Sequence, residues 1–441
     1  MAEIITRDEV AKHNTEDSLW CIIDHRVYDL TDFVDAHPGG NVVLLQVAGK
    51  DATVDFYNLH RQEVLQKYKD ELCIGTVKDE KPEVIEPEIG GLSPVPYGEP
   101  LWLRPQFSSP YFKDSHRRLQ KAMREFTERY IVPEGTEKEK DGSFISQELI
   151  NRMAETNILA MRLGPGKHLH GLILPGGVKG EEFDYFHDLV VAQEVTRISA
   201  RGMLLSYGCD LFGLLTILLL LGFTDGNMAG MVISLTAVRQ WLRNEPLQKR
   251  ITDEVLSGKK KICLAVTEAF AGSDVAGLRT TATKTPDGKH YIVNGTKYDA
   301  PREYVFPRLS KELTLLFRKW ITNGMFADYF VTGCRTDKGF SVILIPRDEN
   351  VETKQIKTSY STSAGTAFVQ FDNVKVPVEN LMGEEHKGFI VIMSNFNHER
   401  FMMVGGALRG MRSVTEECMK WCNQRIVFKK KLIDQPVMRQ K

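Results

Sequence analysis

The stretch CLAVTEAFAGSDVAG, residues 263–277, decides the fold of most of this chain. An apolar run at 262–266 predicts a short strand. The glycines and alanines that follow let backbone N–H groups approach an anionic or electron-rich ring. The stretch therefore predicts a strand that leads into a ligand-binding loop, with an ordinary glycine-rich turn as the alternative.

The sequence on either side of this stretch changes its hydrophobic periodicity. Apolar residues occur at helical spacing in 115–130, 146–160, 184–198 and 228–242, and again through 400–422. Short apolar or alternating runs predict strands at 291–293, 329–333, 340–345 and 367–371. Because 441 residues are too many for one core, we predict an α+β multidomain protein.

The loop stretch strongly resembles the signature of acyl-CoA dehydrogenases, in which a strand runs into a loop under the flavin of FAD. The resemblance implies that Val266 and Thr267 contact the pyrimidine end of the flavin ring. It also implies that Gly272 and Ser273 lie near the FAD phosphates or the pantetheine of the ligand.

The run KWITNG at 319–324 resembles the second flavin strand of the same family. By that resemblance Trp320 flanks the flavin ring, and Thr322 forms a hydrogen bond near N5, where the hydride arrives. The alternative is that Trp320 is a core residue, which is the usual role of a buried strand tryptophan.

A carboxylate and an arginine, Glu399 and Arg400, end the run FNHER at 396–400. The run resembles the segment that carries the catalytic base in the branch of the isovaleryl- and long-chain-type enzymes. The resemblance implies that Glu399 removes the α-proton of an acyl-CoA thioester and that Arg400 positions the thioester end or supports the base. The alternative is an exposed helix glutamate paired with a neighbouring cation.

Near the end of the chain, Arg425 and Phe428 resemble contacts of the family to the FAD diphosphate and adenine of a neighbouring subunit, with Lys429 in place of the usual glycine. The resemblance implies a homo-oligomer, a dimer or a tetramer, when the chain is full length. The last helices of the family's fold should follow Lys441. We therefore expect an incomplete C-terminal bundle and poor FAD binding by these 441 residues.

The N-terminal segment carries HPGG at 37–40 and a further histidine, His60. Proline and glycine permit a tight turn of the backbone. Residues 1–78 resemble cytochrome b5, which implies that a haem b is bound with His37 and His60 as its axial ligands. Two neutral imidazoles saturate the iron and suit electron transfer, whereas a lone histidine is usually a surface or satisfied core residue.

The resemblances divide the chain into five segments: a cytochrome b5-like domain at 1–78, a flexible linker at 79–100, a helical N-terminal domain at 101–260, a middle β-barrel domain at 261–372 and the start of a C-terminal helical domain at 373–441. They imply an FAD-dependent acyl-CoA dehydrogenase whose electrons pass to the haem or to an electron-transfer flavoprotein. Two alternatives stay open: a non-catalytic haem carrier with a degenerate flavoprotein domain, and a related flavoprotein oxidase, for which aspartate is the usual base.

The composition excludes several classes of partner. A net charge of -1 disfavours a nucleic-acid partner. The longest apolar run, 211–223, is shorter than the roughly 20 residues of a membrane span. Seven scattered cysteines without a CxxC pair predict free thiols and no structural zinc. The N-terminus resembles no signal or transit peptide, so we expect an intracellular protein and leave cytoplasm, peroxisome and mitochondrion open.

Two segments, 202–221 and 298–318, interrupt the resemblance, and the second lies inside what should be a buried strand pair. Both can be back-translated to begin with a GTATG-like splice donor and to end with an AG acceptor. We hypothesise that they are retained introns, which sequencing of the transcript would decide.

Overall fold

The computed structural model of the chain describes residues 3–60, 62–82, 88–197, 229–268, 271–272, 274–296, 321–356, 363–394 and 396–440. These residues form two compact units. The first comprises Met1–Glu88, Leu92–Glu99 and Arg412–Lys441, and the second comprises Ile89–Gly91 and Pro100–Met411. The two interrupting segments, Ser273 and Trp320 lie outside the described residues.

A five-stranded sheet lies at the centre of the first unit. Its strands, in spatial order, are Glu3–Ile5, Cys73–Val77, Arg26–Asp29, Ser18–Ile23 and Asn14–Thr15. The turn between the strands Ser18–Ile23 and Arg26–Asp29 places Asp24 at φ 46° and His25 at φ 64°. Two successive residues with positive φ match the right-handed twist of a hairpin.

Helices surround this sheet, at Arg7–Val10, Asn41–Val47, Thr53–Leu59 and Gln62–Leu72, and a further short helix lies at Pro436–Gln440. One face of the sheet packs on the helices Asn41–Val47, Thr53–Leu59 and Gln62–Leu72. The core between them includes Leu19, Tyr28 and Tyr57. The unit also contains the hairpin of Ile426–Val427 and Lys430–Lys431.

Part of the predicted flexible linker is packed. Ser93 and Glu99 are buried, and the Ser93 N–H donates to Glu99 Oε1 at 3.2 Å. The Ser93 hydroxyl donates to Glu416 Oε1 at 2.8 Å. Satisfied buried polar groups of this kind fix a segment in place.

The second unit contains helices before and after a β-sheet. Their bounds are Asp114–Phe126, Val132–Asp141, Gln147–Glu155, Ile158–Met161, Tyr185–Val195, Ser234–Trp241, Glu245–Leu256 and Gly388–Met393, followed by the start of the long helix Phe396–Gln424. The predicted single helix at 146–160 is two helices. Asn157 separates them because its φ is 61°, outside the right-handed helical region.

The sheet of the second unit has eight strands. Seven follow the order Val351–Gln355, Ala367–Pro377, His290–Thr296, Thr281–Lys284, Tyr329–Thr336, Gly339–Pro346 and Leu381–Met382. The eighth, Ile262–Ala265, pairs in parallel with Tyr329–Thr336. A separate small hairpin joins Ile173–Leu174 to Val178–Lys179. Within the described ranges, no helix combines the length and apolarity that crossing a bilayer needs.

Two histidines cap helices of the second unit. His116 Nδ1 accepts the N–H of Lys113 at 2.8 Å, and His187 Nδ1 lies 3.2 Å from the N–H of Asp184. The two rings stack at 3.7 Å, with Asp184 Oδ1 within 3.1 Å of a nitrogen of each. Since hydrogen bonds at the helix starts account for these nitrogens, we interpret the three side chains as caps rather than metal ligands.

Candidate haem site and candidate active site

The two predicted axial histidines lie opposite each other in the first unit. The ring centroids of His37 and His60 are 6.0 Å apart, and the ring planes are tilted by 56°. An imidazole nitrogen binds a transition metal at about 2 Å, so two rings that share one metal have centroids about 6 Å apart. The residues therefore fit an iron held between the two rings.

The glycines of the HPGG turn place the first ligand. The Nδ1–H of His37 donates to the carbonyl oxygen of Gly40 at 3.0 Å, which leaves Nε2 available as a metal ligand. A Cβ on Gly39 would lie 2.7 Å from His37 Cε1. Gly40 has φ 82°, a conformation that favours glycine. The HPGG turn therefore fixes the position of the His37 ring.

The second ligand stands at the end of a helix. His60 follows the helix Thr53–Leu59 with an extended backbone, φ −127° and ψ 153°, and its ring stacks on Phe56 at 4.8 Å. Burial lowers the pKa of His60, and the charge of His37 lowers it further. A lowered pKa keeps the imidazole neutral, which is the form that binds a metal.

Apolar side chains on the two helices next to the ligands are exposed to solvent. They are Val42, Val43, Leu45, Val54 and Leu59. Exposed apolar side chains grouped in this way often mark a binding site, which agrees with a haem-binding role for these two helices.

In the second unit, the loop after the strand Ile262–Ala265 is organised by a buried glutamate. Glu268 Oε2 accepts the N–H of Arg279 at 2.6 Å, and Oε1 accepts the N–H and the hydroxyl of Thr280 at 3.0 and 2.7 Å. Glu268 was not among the residues predicted from the sequence, although it is one of only two acids, with Asp274, in the stretch 263–277. Its role is to hold the predicted flavin loop in shape.

The predicted loop contacts differ in exposure. Val266 is buried, Thr267 is half-buried and Gly272 is exposed. A Cβ on Gly272 would meet no atom within 4 Å. The backbone at Gly272 therefore has open space in front of it, as a loop that receives a phosphate or a pantetheine requires.

The second predicted flavin segment, at 319–324, lies beside the strand Ile262–Ala265 where it is described, from residue 321 onward. Ile321 forms a two-way backbone bridge with Ala367, and Thr322 starts a turn instead of continuing a strand. The reason is Asn323, whose φ is 62° and whose Nδ2 donates to the carbonyl of Ile262 at 3.2 Å. This bond ties the turn that contains Thr322 to the strand that precedes Val266.

Glu399 lies in the first turn of the helix Phe396–Gln424. It is half-buried. Burial raises the pKa of Glu399 and outweighs the opposing charge of Arg400. Arg400 is exposed, with Nη1 3.3 Å from Asn397 Oδ1. A glutamate with a raised pKa is better matched to proton abstraction near neutral pH than an exposed one.

The structure does not bring every predicted residue together. Among the described residues, no hydrogen bond or ion pair joins Glu399 to Thr267 or Thr322. Arg425 belongs to the first unit, where its guanidinium donates to the carbonyl of Asn58. Phe428 is 92% exposed at the tip of a hairpin.

The hairpin tip explains an unusual residue of the sequence. Phe428 and Lys429 have φ values of 51° and 61°. These angles define the two-residue turn in which glycine is favoured at the second position. Lys429 therefore adopts the backbone that the usual glycine of the resembled pattern would adopt.

Three protein families match parts of the chain. Residues 6–78 match the Cytochrome b5-like Heme/Steroid binding domain. Residues 113–222 match the acyl-CoA dehydrogenase N-terminal domain, and residues 386–441 match the acyl-CoA dehydrogenase C-terminal domain.

Individual proteins agree with these matches. The acyl-CoA dehydrogenase apdG of Emericella nidulans is 35% identical over 360 residues, which are 79% of this chain and 72% of apdG. The putative cytochrome b5 B11H24.095 of Neurospora crassa is 44% identical over 79 residues, 18% of this chain and 95% of that protein. The structure of butyryl-CoA dehydrogenase from Megasphaera elsdenii has a TM-score of 0.58 at 21% identity and covers 76% of this chain and 75% of its own. The predicted α+β multidomain fold is confirmed.

Proposed function

Because the chain belongs to the acyl-CoA dehydrogenase family and carries a cytochrome b5-like domain at its N-terminus, we propose that it removes the α-proton and the β-hydride of an acyl-CoA thioester, with Glu399 as the base. The observation that carries this assignment is the position of Glu399, half-buried in the first turn of a helix, with burial raising its pKa. A surface glutamate held by a cation would show a lowered pKa.

The proposed reaction starts from a weakly acidic C–H bond. The α-proton of a thioester is too weakly acidic for an ordinary carboxylate, so the site must favour the transition state over the bound substrate. The raised pKa of Glu399 brings the pKa of the base closer to that of the substrate C–H bond. Hydrogen-bond donors at the developing enolate oxygen would have to supply the remaining stabilisation.

The flavin segments fit the cofactor that the family uses. Val266, Thr267 and Thr322 would hold the ring, and Gly272 would admit a phosphate or the pantetheine. When bound, FAD supplies the acceptor for the hydride. The role of Glu268 is indirect: it fixes the loop that carries Val266 and Thr267 through its hydrogen bonds to Arg279 and Thr280.

The haem site supports a second part of the proposal, which concerns where the electrons go. His37 and His60 would together hold a haem iron through two imidazoles, so such a haem would leave no site for O2 and would take one electron at a time. We propose that these two residues make the N-terminal domain an acceptor for electrons of the dehydrogenase. An electron-transfer flavoprotein is the alternative acceptor.

Absorption spectra test both parts. We expect the purified chain to show a Soret band when it is supplied with haem, and flavin bands when FAD is added in the excess that weak FAD binding requires. Anaerobic mixing with acyl-CoA thioesters of several lengths should bleach the flavin bands, and the haem bands should become reduced afterwards. A Soret band without flavin bands that respond to any acyl-CoA would instead indicate a haem carrier. A haem that stays oxidised after the flavin is bleached would refute only the electron-acceptor proposal.

Oligomerisation is a separate proposal. Phe428 is exposed in the single chain although aromatic side chains of that size are rarely exposed to this extent. We propose that a second copy covers it, as the sequence resemblance implies. Sedimentation of the FAD-loaded chain should show a dimer or tetramer, and Phe428→Ser should shift the distribution towards the monomer.

A further inference from the structure

We propose that His398 is a positioning residue for Glu399, anchored by Asp188 with Arg162 behind it. The inference rests on the proposed role of Glu399 as the base. No hydrogen bond to the substrate is assigned to His398 itself. Its task is to fix the turn of helix from which Glu399 projects.

The anchor is a short contact between two distant parts of the sequence. His398 Nε2 lies 2.7 Å from Asp188 Oδ2, across 210 residues. The side chain of Asp188 is fully buried on the helix Tyr185–Val195, and that of His398 is 14% exposed. A buried carboxylate needs a partner, so the Nε2–H of His398 is required where it lies.

The backbone next to this pair is shaped for it. Gly164 has φ 77°, and a Cβ there would lie 2.9 Å from His398 Nε2 and 3.5 Å from Asp188 Oδ2. Glycine is therefore needed at position 164 for two reasons: other residues rarely adopt this φ, and a side chain would block the approach of the imidazole. A contact that served only to fill space would not require such a close approach of the main chain.

A second buried charged group, the guanidinium of Arg162, lies close to the carboxylate of Asp188. Arg162 is 4% exposed. Burial lowers the pKa of Arg162 to about 10, and the negative charge of Asp188 opposes this shift. Neither Nη1 nor Nη2 of Arg162, nor Oδ1 of Asp188, has a hydrogen-bond partner among the described residues. Water can bridge such groups, and the two side chains lie close enough for their opposite charges to attract.

The consequence for catalysis follows from the place of His398 in the helix. His398 and Glu399 are adjacent in the first turn, whose N–H groups lack intrahelical partners. Such turns fray unless they are held. A misplacement of a catalytic group by about 1 Å can cost about 10²-fold in rate, so an anchor on the residue before the base is worth a comparable factor.

The test compares three changes at the anchor with one matched control. His398→Leu removes the donor, and His398→Gln offers an amide N–H near the place of Nε2. Asp188→Asn removes the charge at constant volume. The control is His386→Leu, because His386 is a partly buried histidine that contacts Asp337 and Thr336 and lies in a turn outside the helices that carry Asp188 and Glu399. The readouts are the rate of flavin bleaching at saturating acyl-CoA, the KM, and the unfolding midpoint of the FAD-free chain.

We expect His398→Leu and Asp188→Asn to slow bleaching by about tenfold or more at nearly unchanged KM. His398→Gln should recover most of the rate. His386→Leu should lower the unfolding midpoint yet leave the bleaching rate unchanged, because it removes the contact to Thr336 but does not touch the anchor. In the FAD-free chain, the midpoint losses of His398→Leu and Asp188→Asn should not add in the double variant.

Two outcomes separate this inference from the proposed function. If His398→Leu and Asp188→Asn bleach at the wild-type rate while Glu399→Gln does not bleach, His398 does not position the base and the inference is wrong. If Glu399→Gln bleaches at the wild-type rate, the proposed base is wrong. If His398→Leu does not fold, the bleaching rates of His398→Gln and Asp188→Asn test the inference instead. The inference expects His398→Gln to bleach much faster than Asp188→Asn, and an equal loss of rate in both variants would overturn it.

Discussion

Replacing Gly39 with alanine should weaken haem binding without destabilising the haem-free chain. The new Cβ would lie 2.7 Å from Cε1 and 3.2 Å from Nδ1 of His37, so the imidazole must rotate away. A rotation of about 30° from a favoured rotamer costs about 0.5–1.5 kcal/mol. If haem binding has to restore the original rotamer, this cost corresponds to an affinity about two- to tenfold lower.

Gly40→Ala is the matched control because its effect should fall on stability. Gly40 has φ 82° and ψ 168°, a region that is essentially restricted to glycine and costs other residues about 1–3 kcal/mol. A Cβ at this position would meet no atom within 4 Å. Haem titrations followed at the Soret band, together with urea unfolding of the haem-free chain, should therefore separate the two variants. Wild-type haem affinity in Gly39→Ala would refute the reasoning.

Three further predictions concern charge. Because burial raises the pKa of Glu399 above its usual 4.5, the carboxylate costs stability once the pH rises through the raised pKa, and Glu399→Gln should raise the unfolding midpoint at pH 8 but not at pH 4 in a thermal scan. Burial acts to raise the pKa of Glu194, but the charge of Arg124 helps to lower it to about 2. Stability should therefore fall as the pH drops from 4.5 towards 2, and Arg124→Met should cost about 3–5 kcal/mol in urea unfolding at neutral pH. Glu268→Ala should weaken FAD binding, measured by flavin fluorescence, because the N–H groups of Arg279 and Thr280 lose their acceptor.

The order of the elements could be predicted from the sequence because it depends on local periodicity. The apolar run at 262–266 corresponds to the strand Ile262–Ala265, and the helical spacing at 184–198 to Tyr185–Val195. The strand Thr281–Lys284 was missed. It is short, and three of its four residues are exposed, so its sequence carries little apolar pattern.

The candidate site was predictable only where a motif places its residues close together in the sequence. His37 belongs to the HPGG turn, and Glu399 stands beside Arg400. Asp188 lies 210 residues from His398, and no local pattern links a single aspartate to a histidine at that separation. The tertiary fold alone places this pair next to Glu399, so only the structure could identify it.

The assignment of Glu399 as the base can be tested with Glu399→Gln in the FAD-loaded chain, mixed without oxygen with an acyl-CoA that bleaches the wild-type flavin. Glutamine keeps the volume of the side chain but cannot take up the α-proton. We expect the variant to bind the thioester with an affinity close to that of the wild type and to leave the flavin oxidised over many wild-type turnover times. If the variant bleaches at the wild-type rate, Glu399 is not the base.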